Sequence, residues 1–142
     1  MNKKKILILC TGNSCRSQMV HGFLRKMGGE KIEVYSAGVE THGLNSKAVL
    51  VMQEAGIDIS FHTSNHFDEY KSIDFDYMIT VCDHAKELCP YFPSNAKIIH
   101  HDFSDPAVTD GTNDQILDEF RRVRDGIQKY CAKFIKDQFE GG

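Results

Sequence analysis

Ile6-Leu7-Ile8-Leu9-Cys10-Thr11-Gly12-Asn13-Ser14-Cys15-Arg16-Ser17 is the stretch from which the fold can be read. Ile6 to Leu9 is a short unbroken apolar run, the pattern of a strand covered on both faces. Thr11-Gly12-Asn13-Ser14 is a turn cluster. A helix over residues 15–26 follows, with Met19, Val20, Phe23, Leu24 and Met27 at helical spacing and Gly28-Gly29 closing it. A strand, a tight polar turn and then a helix is how a parallel α/β sheet opens.

The rest of the chain repeats that alternation. Residues 32–36 read as a second strand that stops at Ala37-Gly38. Asn45 is placed to cap a helix running to about residue 55, with Gly56 at its end. Residues 76–82 contain a third strand and residues 85–88 a short helical piece before Pro90. Residues 97–100 form a weaker fourth strand. The last helix spans residues 114–138, where Ile116, Phe120, Val123, Ile127, Tyr130, Cys131 and Phe134 step by three and four into one apolar stripe. The fold class expected is α/β: a four-stranded parallel sheet with helices on both faces, in one domain spanning residues 1–142. In such sheets chemistry gathers at the carboxyl ends of the strands. Cys10, Cys82 and the 102–105 stretch each follow a strand, so one rim should carry all three.

Composition narrows the function. The chain has 142 residues, is 41% hydrophobic and 26% charged, carries a net charge of -3, and has a pI near 6.1. This argues against a broad basic surface, so neither nucleic acid nor an anionic membrane is an expected partner. Lys3, Lys4 and Lys5 precede too short an apolar run for a signal peptide. The chain is therefore expected in the cytoplasm, as a monomer. Five cysteines, at 10, 15, 82, 89 and 131, do not read as a secreted disulfide framework there.

Cys10 to Ser17 is Cys-x5-Arg-Ser between a strand and a helix. A short loop entering a helix turns several backbone N–H groups inward, a nest for a tetrahedral oxyanion. Residues 11–17 (Thr11, Gly12, Asn13, Ser14, Cys15, Arg16 and Ser17) are the expected substrate-binding set. Gly12 permits close approach, Arg16 adds a planar donor fork, and Ser17 offers a further donor. The same donors would favour the Cys10 thiolate, making it a nucleophile aimed at the central atom. Asp105, followed by Pro106, is the candidate acid for the departing oxygen, with Asp102 as its competitor. Cys82 and Cys89 are seven apart. On a helix that is about 10 Å of rise, too far for a disulfide unless the segment unwinds. A redox-driven rearrangement competes here with zinc bound with help from His84, His100 or His101, and with two unrelated buried cysteines. Cys131 reads as core filler; Cys15, inside the loop, reads either way, as part of the binding set or as packing behind it.

Taken with Tyr35-Ser36-Ala37-Gly38, Thr41-His42-Gly43-Leu44-Asn45, residues 56–60 (Gly-Ile-Asp-Ile-Ser), the Cys82/Cys89 pair, Asp105-Pro106 and residues 122–125 (Arg-Val-Arg-Asp), the segment over residues 10–19 resembles the thioredoxin-coupled arsenate reductases. These share the fold of the low-molecular-weight protein tyrosine phosphatases. The resemblance implies that Cys10 attacks arsenate held by the loop and Arg16 while Asp105 protonates the leaving hydroxyl. Cys82 then attacks Cys10, releasing arsenite, and Cys89 attacks Cys82 to leave a Cys82–Cys89 disulfide for thioredoxin. It implies arsenate as substrate, phosphate or sulfate as mimics, and neither metal nor organic cofactor. Some members bind potassium near the loop through an Asn, a Glu, a Ser and an Asp. Here Asn13 and Ser36 match, but His21 and Asn65 stand at the acidic positions. Imidazole is a poor ligand for a hard cation, so a weak or absent potassium site is expected. The rivals are a phosphotyrosine phosphatase and a non-catalytic redox switch or oxyanion-binding module. Phosphatases of this fold commonly carry tyrosines after the Asp-Pro, where this chain has Ala107-Val108.

Overall fold

The computed structural model describes residues 3–10, 15–38, 43–81 and 96–140. Four strands are present: β1 (Lys4–Cys10), β2 (Ile32–Gly38), β3 (Tyr77–Thr80) and β4 (Lys97–His100). They form one sheet in the order β2-β1-β3-β4. Every pairing is parallel. The first two strands run longer than expected: β1 gains Lys4 and Lys5, which pair with Ile32 and Glu33, and β2 continues through Ala37 and Gly38, which pair with Leu9 and Cys10.

β1 sits at the centre of the sheet, and Ile6, Leu7, Ile8 and Leu9 are buried at 1% exposure or less. The unbroken apolar run is thus explained: both of its faces are covered. Ile8 pairs with Ser36 and with Ile79, so these three point the same way. That face receives α1 (Arg16–Gly28) and α3 (Asn113–Ile135), the latter through the edge-on contact of Phe134 with Tyr77, whose ring centroids are 5.6 Å apart. The opposite face carries Tyr35, which meets Tyr70 of the 3-10 turn Phe67–Tyr70 and Phe75 at centroid distances of 5.2 and 5.4 Å. Helical elements therefore flank both faces.

α1 can lie close to its neighbours because of Gly22. A methyl group there would come within 2.8 Å of Ile59 and 3.0 Å of Met52. α2 (Ser46–Glu54) begins where the sequence places its cap: Asn45 Oδ1 accepts from the N–H groups of Lys47 and Ala48. It is held to α3 by Glu54, which pairs with Arg121 and Arg124 at 2.9 Å each. α3 starts one residue earlier than its apolar stripe suggests, because Thr112 and Gln115 form a reciprocal capping box. It ends at Ile135 and continues as a wider turn over Lys136–Glu140. The expected helical piece at residues 85–88 lies outside the described residues. No described helix is long and apolar enough to cross a membrane.

Candidate active site

Cys10 is the last residue of β1 and Cys15 the N-cap residue of α1; both are buried. They are the two anchors of the expected oxyanion loop, of which Thr11, Gly12, Asn13 and Ser14 lie outside the described residues. Cys10 pairs with Gly38 on β2 and shares the α1 face of the sheet with Ile6 and Ile8. Its sulfur therefore belongs to the side from which the N-terminus of α1, the positive end of the helix dipole, rises. Ser17, in the first turn of α1, is fully buried.

Arg16 is the first residue of α1, and its side chain crosses to the segment after β4. One terminal nitrogen donates to the Phe103 carbonyl at 3.0 Å, and the other stands 3.6 Å from Asp105 Oδ2. The Arg16 side chain is 11% exposed and that of Asp105 32%. Asp105 is held by its own backbone: Oδ1 accepts from the Ala107 N–H at 3.0 Å, capping the 3-10 turn Pro106–Val108. Pro106 occupies the first position of that turn, where its missing N–H costs nothing. So the carboxyl has one oxygen fixed and the other turned to Arg16. Two motifs nearly ninety residues apart in sequence meet on one rim. The competitor, Asp102, is exposed. Cys82 and Cys89 lie outside the described residues. Cys131 is buried on α3, its thiol 3.9 Å from the Val20 carbonyl, and burial pushes its pKa up, as core filler requires.

A second group of side chains lies between α1, β2 and residues 61–70. His21 and His62 stack with ring centroids 4.3 Å apart. His21 Nδ1 is 2.9 Å from Ser36 Oγ, and His62 Nδ1 is 2.9 Å from Gln18 Oε1. With Arg25, Phe61, Thr63, Asn65 and Tyr70 they line a cavity of about 170 Å³. Burial, then the neighbouring His62 and Arg25, lowers the His21 pKa to about 3. Burial and Arg25, partly offset by Asp58, lower that of His62 to about 4. Both rings are neutral at pH 7.

This donor set does not suit potassium. No described residue lining the cavity is a carboxylate, Arg25 brings a positive charge to it, and His21 is committed to Ser36. Asn13 lies outside the described residues. No group of three or more His, Cys, Asp or Glu side chains among the described residues is placed to hold a metal ion.

Sequence motifs pointed to Arg16 and Asp105 but gave no role to Gln18, His62 or Thr63. Only the structure singles out Gln18, a polar residue beside Met19 and Val20 with all three fully buried.

With this geometry the chain matches the model of the low molecular weight phosphotyrosine protein phosphatases over residues 5–140. The chain belongs to that family. Among its relatives, an arsenate reductase of Halalkalibacterium halodurans is 49% identical over 136 residues, covering 96% of this chain and 98% of the relative. An arsenate reductase solved in its phosphate-binding state superposes with a TM-score of 0.81 at 32% identity, covering 94% of this chain and 98% of the other. A low-molecular-weight protein tyrosine phosphatase from T. tengcongensis superposes at 0.80 with 27% identity, covering 95% and 99%. One scaffold serves both chemistries, as expected if fold and reaction are separable.

Proposed function

We propose that the chain reduces arsenate to arsenite. The observation that carries this reading is the meeting of Arg16 and Asp105 at the end of β1 where Cys10 lies, in a chain 49% identical to an arsenate reductase over 96% of its length. Thr11, Gly12, Asn13, Ser14, Cys15, Arg16 and Ser17 hold the tetrahedral oxyanion. The Cys10 thiolate attacks arsenic, a hydroxyl leaves, and Asp105 supplies the proton that makes it water. Cys82 then attacks the Cys10 sulfur. The sulfur–arsenic bond breaks, its electron pair stays on arsenic, and arsenite departs. Cys89 attacks Cys82 and frees Cys10 as a thiolate. A thioredoxin reduces the Cys82–Cys89 disulfide, supplying the two electrons each arsenate consumes. The enzyme acts as a monomer in the cytoplasm, where thiols are kept reduced.

Phosphotyrosine hydrolysis is the second reading, because the same attack on phosphorus needs only the loop, Cys10 and Asp105. The turn after Asp105 favours the first: Ala107 and Val108 are exposed, and Val108 is 75% exposed with no ring to hold an aryl group. Phosphatase activity is then a slow side reaction.

The test is arsenate-dependent consumption of NADPH with thioredoxin and its reductase. Turnover that disappears in Cys10→Ser is expected. A wild-type protein that turns over an aryl phosphate but not arsenate would reverse the order of the two readings. Single-turnover arsenite release without recycling in Cys89→Ser is expected from the relay, and sustained turnover of that variant would reject it.

A further inference from the structure

We propose that Gln18 and His62 are positioning residues for the oxyanion loop. Their hydrogen bond, together with that of Gln18 to Thr63, ties the first turn of α1 to a segment bonded to the end of β2. It thereby fixes the two anchors of the loop, Cys10 and Cys15, against each other. The inference rests on the reading of residues 10–17 as an oxyanion site and adds residues that never touch the anion.

Gln18 stands three residues after Cys15 and two after Arg16, on the first turn of α1, and is fully buried. Its Nε2 donates to the Thr63 carbonyl at 2.9 Å, so its Oε1 faces His62 Nδ1, also at 2.9 Å. An amide oxygen only accepts, so the His62 ring must carry its proton on Nδ1. That ring has no slack: its Nε2 is buried with no hydrogen-bond partner among the described residues, and its face is stacked on His21.

The same segment reaches the other anchor. The Gly38 N–H donates to the Asn65 carbonyl at 2.9 Å, and Gly38 is the β2 residue paired with Cys10. Asn65 is itself held by the Thr63 hydroxyl at 2.6 Å and by Glu69 Oε1 at 3.1 Å. His21 adds a parallel tie from α1 to Ser36 of β2. A closed circuit of hydrogen bonds therefore runs from α1 through residues 62–65 to β2, with Cys15 at one end and Cys10 at the other. The side chains that link α1 to residues 62–65 and to β2 (Gln18, His62, His21 and Ser36) carry no carboxylate, lysine or arginine, so they constrain position rather than adding field.

Catalysis needs this constraint. The loop's N–H groups are useful only where they meet the oxygens of the bound anion and the thiolate together. Misplacement of reacting groups by about 1 Å costs on the order of a hundredfold in rate. A part-buried neutral tie achieves that without a charge to compete for the oxyanion.

The experiment uses the full chain and inorganic phosphate as the probe. Alkylation of Cys10, followed by peptide mass mapping, is timed with and without phosphate, and arsenate turnover is measured in parallel. In Gln18→Met, which keeps the volume and removes both bonds, phosphate protection of Cys10 is expected to need about tenfold more phosphate. In the same variant arsenate kcat/KM should fall about ten- to a hundredfold. His62→Phe keeps the ring stack and removes only the Nδ1 donor; it should show the same defect in smaller degree. His62→Asn restores a donor near the Nδ1 position and should recover most of the protection. Wild-type protection in both Gln18→Met and His62→Phe overturns the proposal, as does a defect in His62→Asn equal to that in His62→Phe. Protection in the wild type without arsenate turnover would sink the proposed reaction and leave the positioning role standing. No protection in the wild type overturns both.

Discussion

Arg16 and Gln18 sit two residues apart on one turn of α1, and they tie it down in opposite ways. Arg16 reaches forward, past β4, to a backbone carbonyl and the partly exposed carboxylate of Asp105. Gln18, itself fully buried, reaches back into a part-buried, neutral set of bonds to an imidazole and a backbone carbonyl. The forward tie is made of groups to which the proposed reaction gives work: a cationic fork for an oxyanion and a carboxyl to move a proton. The rearward tie contains nothing an anion or a proton transfer would employ. On the proposed reaction, charge stands where it would work on substrate, and neutral hydrogen bonds stand where only geometry is required. Unpaired buried charge would be costly, whereas satisfied neutral groups are nearly balanced.

The largest way to separate the two sides is to damage the forward one. Asp105→Asn keeps size and the cap on the Ala107 N–H but cannot deliver a proton. Arsenate kcat should fall by about a hundredfold or more, as is typical for loss of a general acid. Thermal stability should barely move, because the 3.6 Å pair with Arg16 is partly exposed and such pairs contribute little. Arg16→Lys should raise the phosphate needed for protection, since a point charge replaces a two-pronged grip. An Asp105→Asn enzyme with wild-type kcat would transfer the acid role elsewhere and break the division proposed between the two sides.

The rearward side should reveal itself through protons instead. His21 and His62 have folded-state pKa values of about 3 and about 4, below the ordinary histidine value of 6.5, chiefly because burial disfavours the charged form. Below pH 6.5 the unfolded chain takes up protons that the folded chain refuses. The stability these groups contribute is therefore complete above about pH 6.5. It is lost progressively as pH falls toward the two folded values. Exposed carboxylates held low by partners, such as Glu54 with Arg121, titrate only further down. The melting temperature should thus already decline between pH 6.5 and 5, and the slope should shrink in His21→Leu. A melting temperature flat from pH 7 to 5 would mean that the pair is open to solvent and not the rigid brace described.

How much of this was legible follows the same division. β1, α1, β2 and β3 were readable because a buried strand and an amphipathic helix leave period-specific patterns, whereas β4, exposed or half-buried along its length, leaves a weaker one. Asn45 was readable because a short polar side chain ahead of an apolar stripe has few other uses. Cys10 announced itself as a thiol at the end of a strand, Arg16 as a cation entering the next helix, and Asp105 as a carboxyl ahead of a proline after the fourth strand. The turn Phe67–Tyr70 was not readable: its cap is His66 with Glu69, and histidine carries no capping signal in a sequence. The rearward circuit was equally silent. Two of its bonds end on backbone carbonyls of residues 63 and 65, which every residue possesses, and Gln18 looks like any polar helix residue until its burial is known. Residues that act through position leave their trace in packing rather than in composition.

A smaller effect tests whether the rest of the scaffold is indifferent to the site. Asn45→Ala removes the acceptor for the Lys47 and Ala48 N–H groups and should cost about 1 kcal/mol of stability. α2 touches α3 through Glu54 but does not join the circuit around residues 62–65, so arsenate KM should remain at the wild-type value. A raised KM would show that the brace extends further than the hydrogen bonds indicate.

The smallest expected effect is that of potassium. A hard cation near this loop would need oxygen ligands and negative charge. The described lining instead offers the neutral imidazoles of His21 and His62, the hydroxyls of Ser36 and Thr63, the Asn65 amide and the cationic Arg25. What a bound ion would do, holding α1 to β2, the His21–Ser36 and Gln18–His62 bonds already do without charge. Replacing sodium by potassium at constant ionic strength should therefore leave arsenate KM and the melting temperature unchanged within error. A clear fall in KM with potassium would require an ion that displaces His21 from Ser36, and would make the rearward side a charged site like the forward one.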